Sequence, residues 1–208
     1  MEIADRIREP ADEGTPADDQ FRRRAAIGIG VLAMLLAIAA LGANGATREM
    51  INDNILASDT WAFFQAKTIR QTSQQLAAVQ LEGLLTSHPT MPPEARAFVQ
   101  QAIARAKATV ARYESEPSLE DPSNPLKGEG RKELRTRAEY LQHRRDRAAA
   151  QLPNFEYAEA LFQIAIVLGS VSIVATSRPL LIASFATGSV ASLFMVNGFL
   201  LVVSRAGG

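Results

Sequence analysis

The chain has 208 residues, 47% of them hydrophobic, and its 22 lysines and arginines balance 22 aspartates and glutamates. That balance leaves no global field to attract nucleic acid, so no nucleic-acid partner is expected. The absence of cysteine excludes disulfides, thiolate metal sites and cysteine nucleophiles.

Residues 1–24 carry Pro10, Gly14 and Pro16 and few large apolar side chains, and they end in Arg22, Arg23 and Arg24. Too little apolar surface is present for burial to offset chain entropy, so this segment reads as a mobile acidic tail. Ala25–Ala43 is an uncharged run of 19 residues. As a helix it spans roughly 28 Å, close to one hydrocarbon core, and is expected to be the first transmembrane helix. A signal peptide cut near Ala40-Leu41-Gly42 is the rival, but the apolar run is longer than a usual signal core, which favours an uncleaved anchor.

Residues 44–157 are expected to form a water-exposed helical domain. Thr47 to about Leu85 lacks proline, and Ile51, Ile55, Ala62, Ile69, Leu76 and Val79 recur at helical spacing, which predicts one long amphipathic helix. Ser58, Gln65 and Thr72 interrupt that stripe and make it a poor seam for a lone coiled coil. Pro89, Pro92 and Pro93 end the helix, and Glu94–Glu114 gives a second with Phe98, Ile103 and Val110 on one side, so the pair is expected as a hairpin. Residues 115–130 hold three prolines and two glycines and read as a loop. Residues 131–151 predict a third, mostly charged helix, broken by Pro153, after which Asn154 is placed to cap a new helix. Phe155 and Tyr157 are expected at the lipid headgroups. Arg131–Arg147 has seven basic residues against three acids, and Glu114–Glu129 five acids against Lys127. Neutralisation between them is the simple reading, and binding of anionic lipid by the basic helix is the alternative.

The runs 161–176 and 180–203 carry no charge, and residues 158–176, which include Glu159 at their start, and 180–203 are expected as the second and third transmembrane helices, joined by a tight turn at 177–179 and followed by a short tail at 204–208. Ser184, Gly188 and Ser192 stand four residues apart, a face where another helix can approach closely, within the chain or from a second copy. Gln163 and Asn197 add possible interhelical hydrogen bonds. The fold class is therefore all-α: an integral membrane protein with three transmembrane helices and a helical hairpin or coiled-coil-like domain between the first two.

His88 and His143 are the only histidines and have no neighbouring catalytic motif, so no catalytic residue is assigned. No metal-ligand spacing and no phosphate loop occurs, and no metal or cofactor is expected. The densest constellation is Asp59, Trp61, Phe63, Phe64, Gln65, Lys67 and Arg70, which includes the single tryptophan. On a helix Trp61, Phe64 and Thr68 share one face and Phe63, Lys67 and Arg70 an adjacent one, with Lys67 within cation-π reach of Phe63 or Phe64. An aromatic core contact is the preferred reading, and an exposed partner surface the sharper one. If the first helix runs unbroken through Gly42 and Gly45, Trp61 lies about 27 Å beyond Ala43 and cannot reach lipid; a break there permits a helix lying on the membrane.

The Asp59, Trp61, Gln65-Ala66-Lys67 and Ile69-Arg70 pattern, the alanine-rich first span, and a terminal hairpin opening QIAIVLGS and closing near Arg178-Pro179 resemble the bacterial membrane proteins grouped under domain of unknown function 4337. Phe63 and Phe64 stand where that family often has tyrosine. The resemblance implies a bacterial inner-membrane location and a helical exposed region, and it supplies no activity. Arg22–Arg24 argue for a cytoplasmic tail, whereas Arg144, Arg145 and Arg147 argue for a cytoplasmic domain. Since the first helix usually dominates, a cytoplasmic tail and a periplasmic 44–157 domain are favoured, and protease added from outside is expected to cut the 115–130 loop. The functional expectation is a non-enzymatic membrane-anchored scaffold or interaction protein, a homo-oligomer or bound to a membrane-protein partner, and in contact with membrane lipids. The alternative is a small channel or transport accessory subunit with Gln163, Ser172, Ser189 and Asn197 lining a pore.

Overall fold

The computed structural model describes residues 16–201; the expectations for 1–15 and 202–208 lie outside the described residues. Four helices and no strand occur among them: α1 (Pro16–Ser87), α2 (Pro93–Glu114), α3 (Arg131–Val174) and α4 (Arg178–Leu200). Three of these, α1, α3 and α4, are long and apolar enough to cross a membrane. Residues 16–24 are helical rather than tail. Pro16 begins α1, where its missing N–H costs nothing, and Asp18 and Asp19 lie in the first turn, where the helix dipole favours anions. The helix runs on through Gly42 and Gly45 without the break that the sequence allowed.

Pro153 lies inside α3 and does not break it, so the separate helices expected at 131–151 and 158–176 are one. Proline removes only its own N–H bond and crowds one carbonyl, a cost that packing on both sides can offset. Ala148 and Phe155, which flank it, are both fully buried. Asn154 is accordingly no cap: its Nδ2 donates to Ala150 O at 3.1 Å within the same helix. The α3–α4 turn falls at 175–177, two residues earlier than expected, with Thr176 at a φ of 47° and Ser177 N bonded to Ser172 O at 3.0 Å. The last helix ends at Leu200 rather than 203, because Leu201 turns left-handed.

The chain divides into two units, one combining residues up to 48 with those from 148, the other comprising Glu49–Arg147. In the first, Leu32 and Ala39 of α1, Ala158, Phe162 and Ala165 of α3, and Ala191 of α4 form the core, packed by Leu35, Leu36, Leu161, Ile166 and Met195. Alanines and glycines at the crossings let the backbones approach. Phe155 fills the space left by two glycines: a Cβ on Gly42 or Gly198 would stand 2.5 or 2.8 Å from its ring. Phe199 meets the same ring edge-on at 4.8 Å.

In the second unit, α2 and the first part of α3 each run antiparallel to α1. Gln71 bonds Val110 O and Glu114 of α2, while Arg131 and Arg144 at opposite ends of the α3 segment bond Thr68 and Glu49. The inward face of α1 here is Asp53, Ala57, Thr60, Lys67, Gln71 and Ala78, all buried. Apolar periodicity in the sequence points to a different face. Ile51, Ile55, Ile69, Leu76 and Val79 are all exposed. Since Ile55 follows Asp53 by two residues, the two stripes lie about 200° apart on the helix. The mainly polar stripe wins the interior because partners on α2, α3 and their connecting loop satisfy its charges and amides.

A polar clasp as the candidate functional site

Lys67 is the centre of the second unit. Its side chain is only 7% exposed, and Nζ donates to Glu116 Oε2 at 2.8 Å and to the carbonyl of Glu129 at 2.5 Å. The ammonium also lies 5.9 Å from the Phe63 ring and 5.8 Å from the Tyr113 ring, so aromatic faces cover the directions that carbonyls do not. A buried cation is tolerable only with such partners.

One turn further on, Arg131 of α3 reaches back to α1. Its Nε donates to Thr68 Oγ1 at 3.0 Å, its Nη1 to Gln71 Oε1 and, at 3.1 Å, to Glu114 Oε2, and its guanidinium stands 5.3 Å from the Phe64 ring. Gln71 Nε2 completes the set by donating to Glu114 Oε2 at 3.0 Å and Val110 O at 3.2 Å. Three helices thus meet through a neutralised array of Lys67, Arg131, Glu114 and Glu116.

The 115–130 connection is shaped to fit this array. Glu133 is buried, and its carboxylate accepts from Ser115 Oγ at 2.6 Å and from Glu116 N at 3.3 Å. Burial pushes this carboxyl up, but the hydrogen bonds from Ser115 and from the N–H groups of Glu133 and Glu116, with the charge of Lys132, outweigh it and hold the pKa below the ordinary glutamate value. Gly130 is packed so closely against the Glu133 carboxylate and the backbone of Ser115 and Glu116 that a Cβ has no room. Arg137 fastens the far side, donating to Leu126 O at 2.5 Å and Gly128 O at 2.9 Å. The basic segment therefore reaches the loop through its carbonyls, by Arg137, and the acidic segment before it through one carboxylate, Glu114, by Arg131. Nearer the end of the basic segment, Arg144 pairs with α1, at 2.7 Å from Glu49 and 3.2 Å from Asp53, whose buried carboxylate oxygens accept no hydrogen bond among the described residues.

The seven residues singled out in the sequence are divided by this geometry. Lys67 is buried, while Trp61 and Phe64 are half-buried and meet edge-on at 5.4 Å. Asp59, Phe63, Gln65 and Arg70 are exposed. Sequence reasoning did not single out Asp53, Gln71 or Glu133, and it placed Arg131 and Glu116 only within the basic and acidic segments expected to neutralise each other, of which Arg131 and Glu114 do pair. The available signal was a second stripe at seven-residue spacing, Asp53, Thr60 and Lys67, which apolar periodicity does not pick out because it is polar.

In the first unit, Ser184 Oγ donates to Ala165 O at 2.6 Å, and Gly188 packs directly against Leu32, so both serve contacts within one chain. Ser192 bonds its own helix at Gly188 O, and Asn197 Nδ2 donates to Asn154 Oδ1 at 2.9 Å. Gln163 is exposed. Of the other residues considered for a pore, Ser172 is buried against Gly169 O and Ser189 is exposed on α4.

Two shallow grooves flank the α1–α2 pair, one of about 420 Å³ beside Gln71, Val79 and Lys107, the other of about 260 Å³ beside Leu81, Phe98 and Arg105. No cluster of three metal-ligating side chains occurs among the described residues. Comparison with curated proteins and with solved structures gave no match. The model of the family described as Domain of unknown function (DUF4337) matches residues 21–201, a span that takes in the Lys67 clasp and both helical units, and the chain belongs to that family.

Proposed function

We propose that this protein is a non-enzymatic interaction protein anchored in the bacterial inner membrane by three transmembrane helices, presenting Glu49–Arg147 to a protein partner on the periplasmic side. The observation that carries this reading is the outward face of α1. Ile55 is 55% exposed, Ile69 70% and Leu76 56%, on a helix whose opposite face is already occupied. Ordered apolar surface of this extent marks an interaction site. The clasp gives it rigidity, because α1 is fixed from behind by Lys67, Gln71 and Arg131.

Anchoring is supported by the first unit, whose outward side chains include Ile27, Val31, Met34 and Leu41 of α1 and Val167, Val171 and Val174 of α3. Such side chains suit hydrocarbon, and the small residues between the helices are the packing that membranes favour. The arginines at 22–24 favour a cytoplasmic amino-terminal side.

A photoreactive residue at position 69 of the full chain in native membranes is expected to give one discrete higher-mass species. The same residue at position 104, exposed on α2, is expected to give none. Absence of any adduct at 69 would overturn the proposal.

A further inference from the structure

We infer that the outer face of α1 pairs with the same face of a second copy, in parallel and in register, as a two-stranded coiled coil outside the membrane. This rests on the membrane-anchored interaction reading and names the partner. The stripe keeps a strict seven-residue period: Ile55, Ala62, Ile69 and Leu76 form one row, and Ile51, Ser58, Gln65, Thr72 and Val79 the row beside it. A straight helix drifts by about 20° per heptad against such a period, so a stripe that holds it over four heptads matches a partner wound around it. The intrachain contacts of α1 leave both rows exposed, and on their flank Asn54 and Thr68 accept hydrogen bonds from Arg145 and Arg131 of α3.

Three features select a second copy as the occupant. Copies inserted in one membrane share an orientation, so their α1 helices run the same way and a two-fold axis along the membrane normal brings each position against itself. The flanking positions are almost free of charge: Asn54, Trp61, Thr68 and Gln75 on one side, and Asn52, Asp59, Ala66, Ser73 and Gln80 on the other. Charges at such positions choose partners and orientation. Here they raise no like-charge penalty between identical helices and offer nothing to select a differently charged one. From Gln71 to Ser87, the helix holds a single charge, Glu82, a depletion that matches interface cores rather than solvated helix.

The polar row refines the geometry. Ser58, Gln65 and Thr72 meet their own copies across the axis, where Gln65 amides can bond each other and penalise any shifted register. Polar seam positions also weaken the pair, and confinement in one membrane compensates by raising effective concentration.

The native chain has no cysteine, so single cysteines report contacts cleanly. Ile69→Cys and Leu76→Cys in the full chain, oxidised in native membranes, are expected to form disulfide dimers on the order of tenfold faster than Ala104→Cys on α2, as effective concentration at a shared seam demands. Ile69→Lys combined with Leu76→Cys is expected to lose that dimer with helicity unchanged, since residue 69 makes no contribution to the interior of one chain. Equal rates at 69, 76 and 104 indicate random collision and overturn the inference. A discrete photo-adduct at 69 whose mass is not that of two copies, with no disulfide dimer, overturns the second copy but leaves the interaction reading standing; no adduct of any kind overturns both.

Discussion

Lys67 and Arg70 lie three residues apart in one motif, yet the structure gives them different physical roles. Lys67 is buried between two rings, with Glu116 and the Glu129 carbonyl as its acceptors, whereas Arg70 points to solvent. Lys67→Met keeps the apolar stem beside Phe63 and Tyr113 but leaves those acceptors without a donor. It is expected to destabilise the second unit by about 2 kcal/mol, the usual cost of a partly buried unsatisfied polar group. Arg70→Ala is expected to change stability by less than about 0.5 kcal/mol, as surface substitutions do. Denaturation followed through Trp61 fluorescence measures both, and equal effects would place Lys67 on the surface. The sequence shows the aromatic residues and the lysine together, and even their cation-π proximity. It does not show the acceptors, because Glu116 and Glu129 stand 49 and 62 residues away.

At the scale of helices, glycine has opposite meanings in neighbouring turns of α1. Gly42 makes room for the Phe155 ring, whereas a Cβ on Gly45 meets nothing within 4 Å. Gly42→Leu is expected to force the ring out of its site and cost about 1–3 kcal/mol or more. Gly45→Ala is expected to stabilise the helix by up to about 1 kcal/mol, since alanine is the better helix former. Thermal unfolding of the full chain in detergent distinguishes them, and tolerance of leucine at 42 would mean that α1 and α3 are not packed through Phe155. Proline teaches the same lesson. Pro92 and Pro93 stand at the start of α2, where the missing N–H groups have no helical acceptor to lose, but Pro153, between Ala148 and Phe155, is held inside α3 by its buried neighbours. Local breaker rules describe what a proline costs, and tertiary packing decides whether that cost is met.

Across the whole molecule, the two units are held by different chemistry and should respond differently to acid. The first is packed by alanine, glycine and phenylalanine. The second depends on carboxylates, with the Glu133 pKa lowered on folding by Ser115 and backbone N–H groups despite its burial. A depressed pKa contributes stability that is complete above the ordinary glutamate value and is lost as pH falls through the folded value. Hydrogen exchange at stepwise lower pH is therefore expected to show residues 115–130 opening below the ordinary glutamate range while residues around Phe155 and Gly198 stay protected. Simultaneous opening of both units would show that the Glu133 carboxylate is not what holds the loop.

The three apolar stretches, the proline-rich ends of the helices and the loop at 115–130 are determined by the sequence alone. Each depends on the composition or backbone limits of neighbouring residues, which need no distant partner. Only the tertiary structure decides which face of α1 turns inward. Two stripes with the same period compete there, and hydrophobicity points to Ile55, Ile69 and Leu76. Glu114, Glu116 and Arg131, brought in from α2, α3 and the loop between them, satisfy Lys67 and Gln71, so the polar face closes and the apolar one remains outside. Where polar partners converge from elements far apart in the chain, burial follows satisfied hydrogen bonds, and periodicity by itself cannot reveal it.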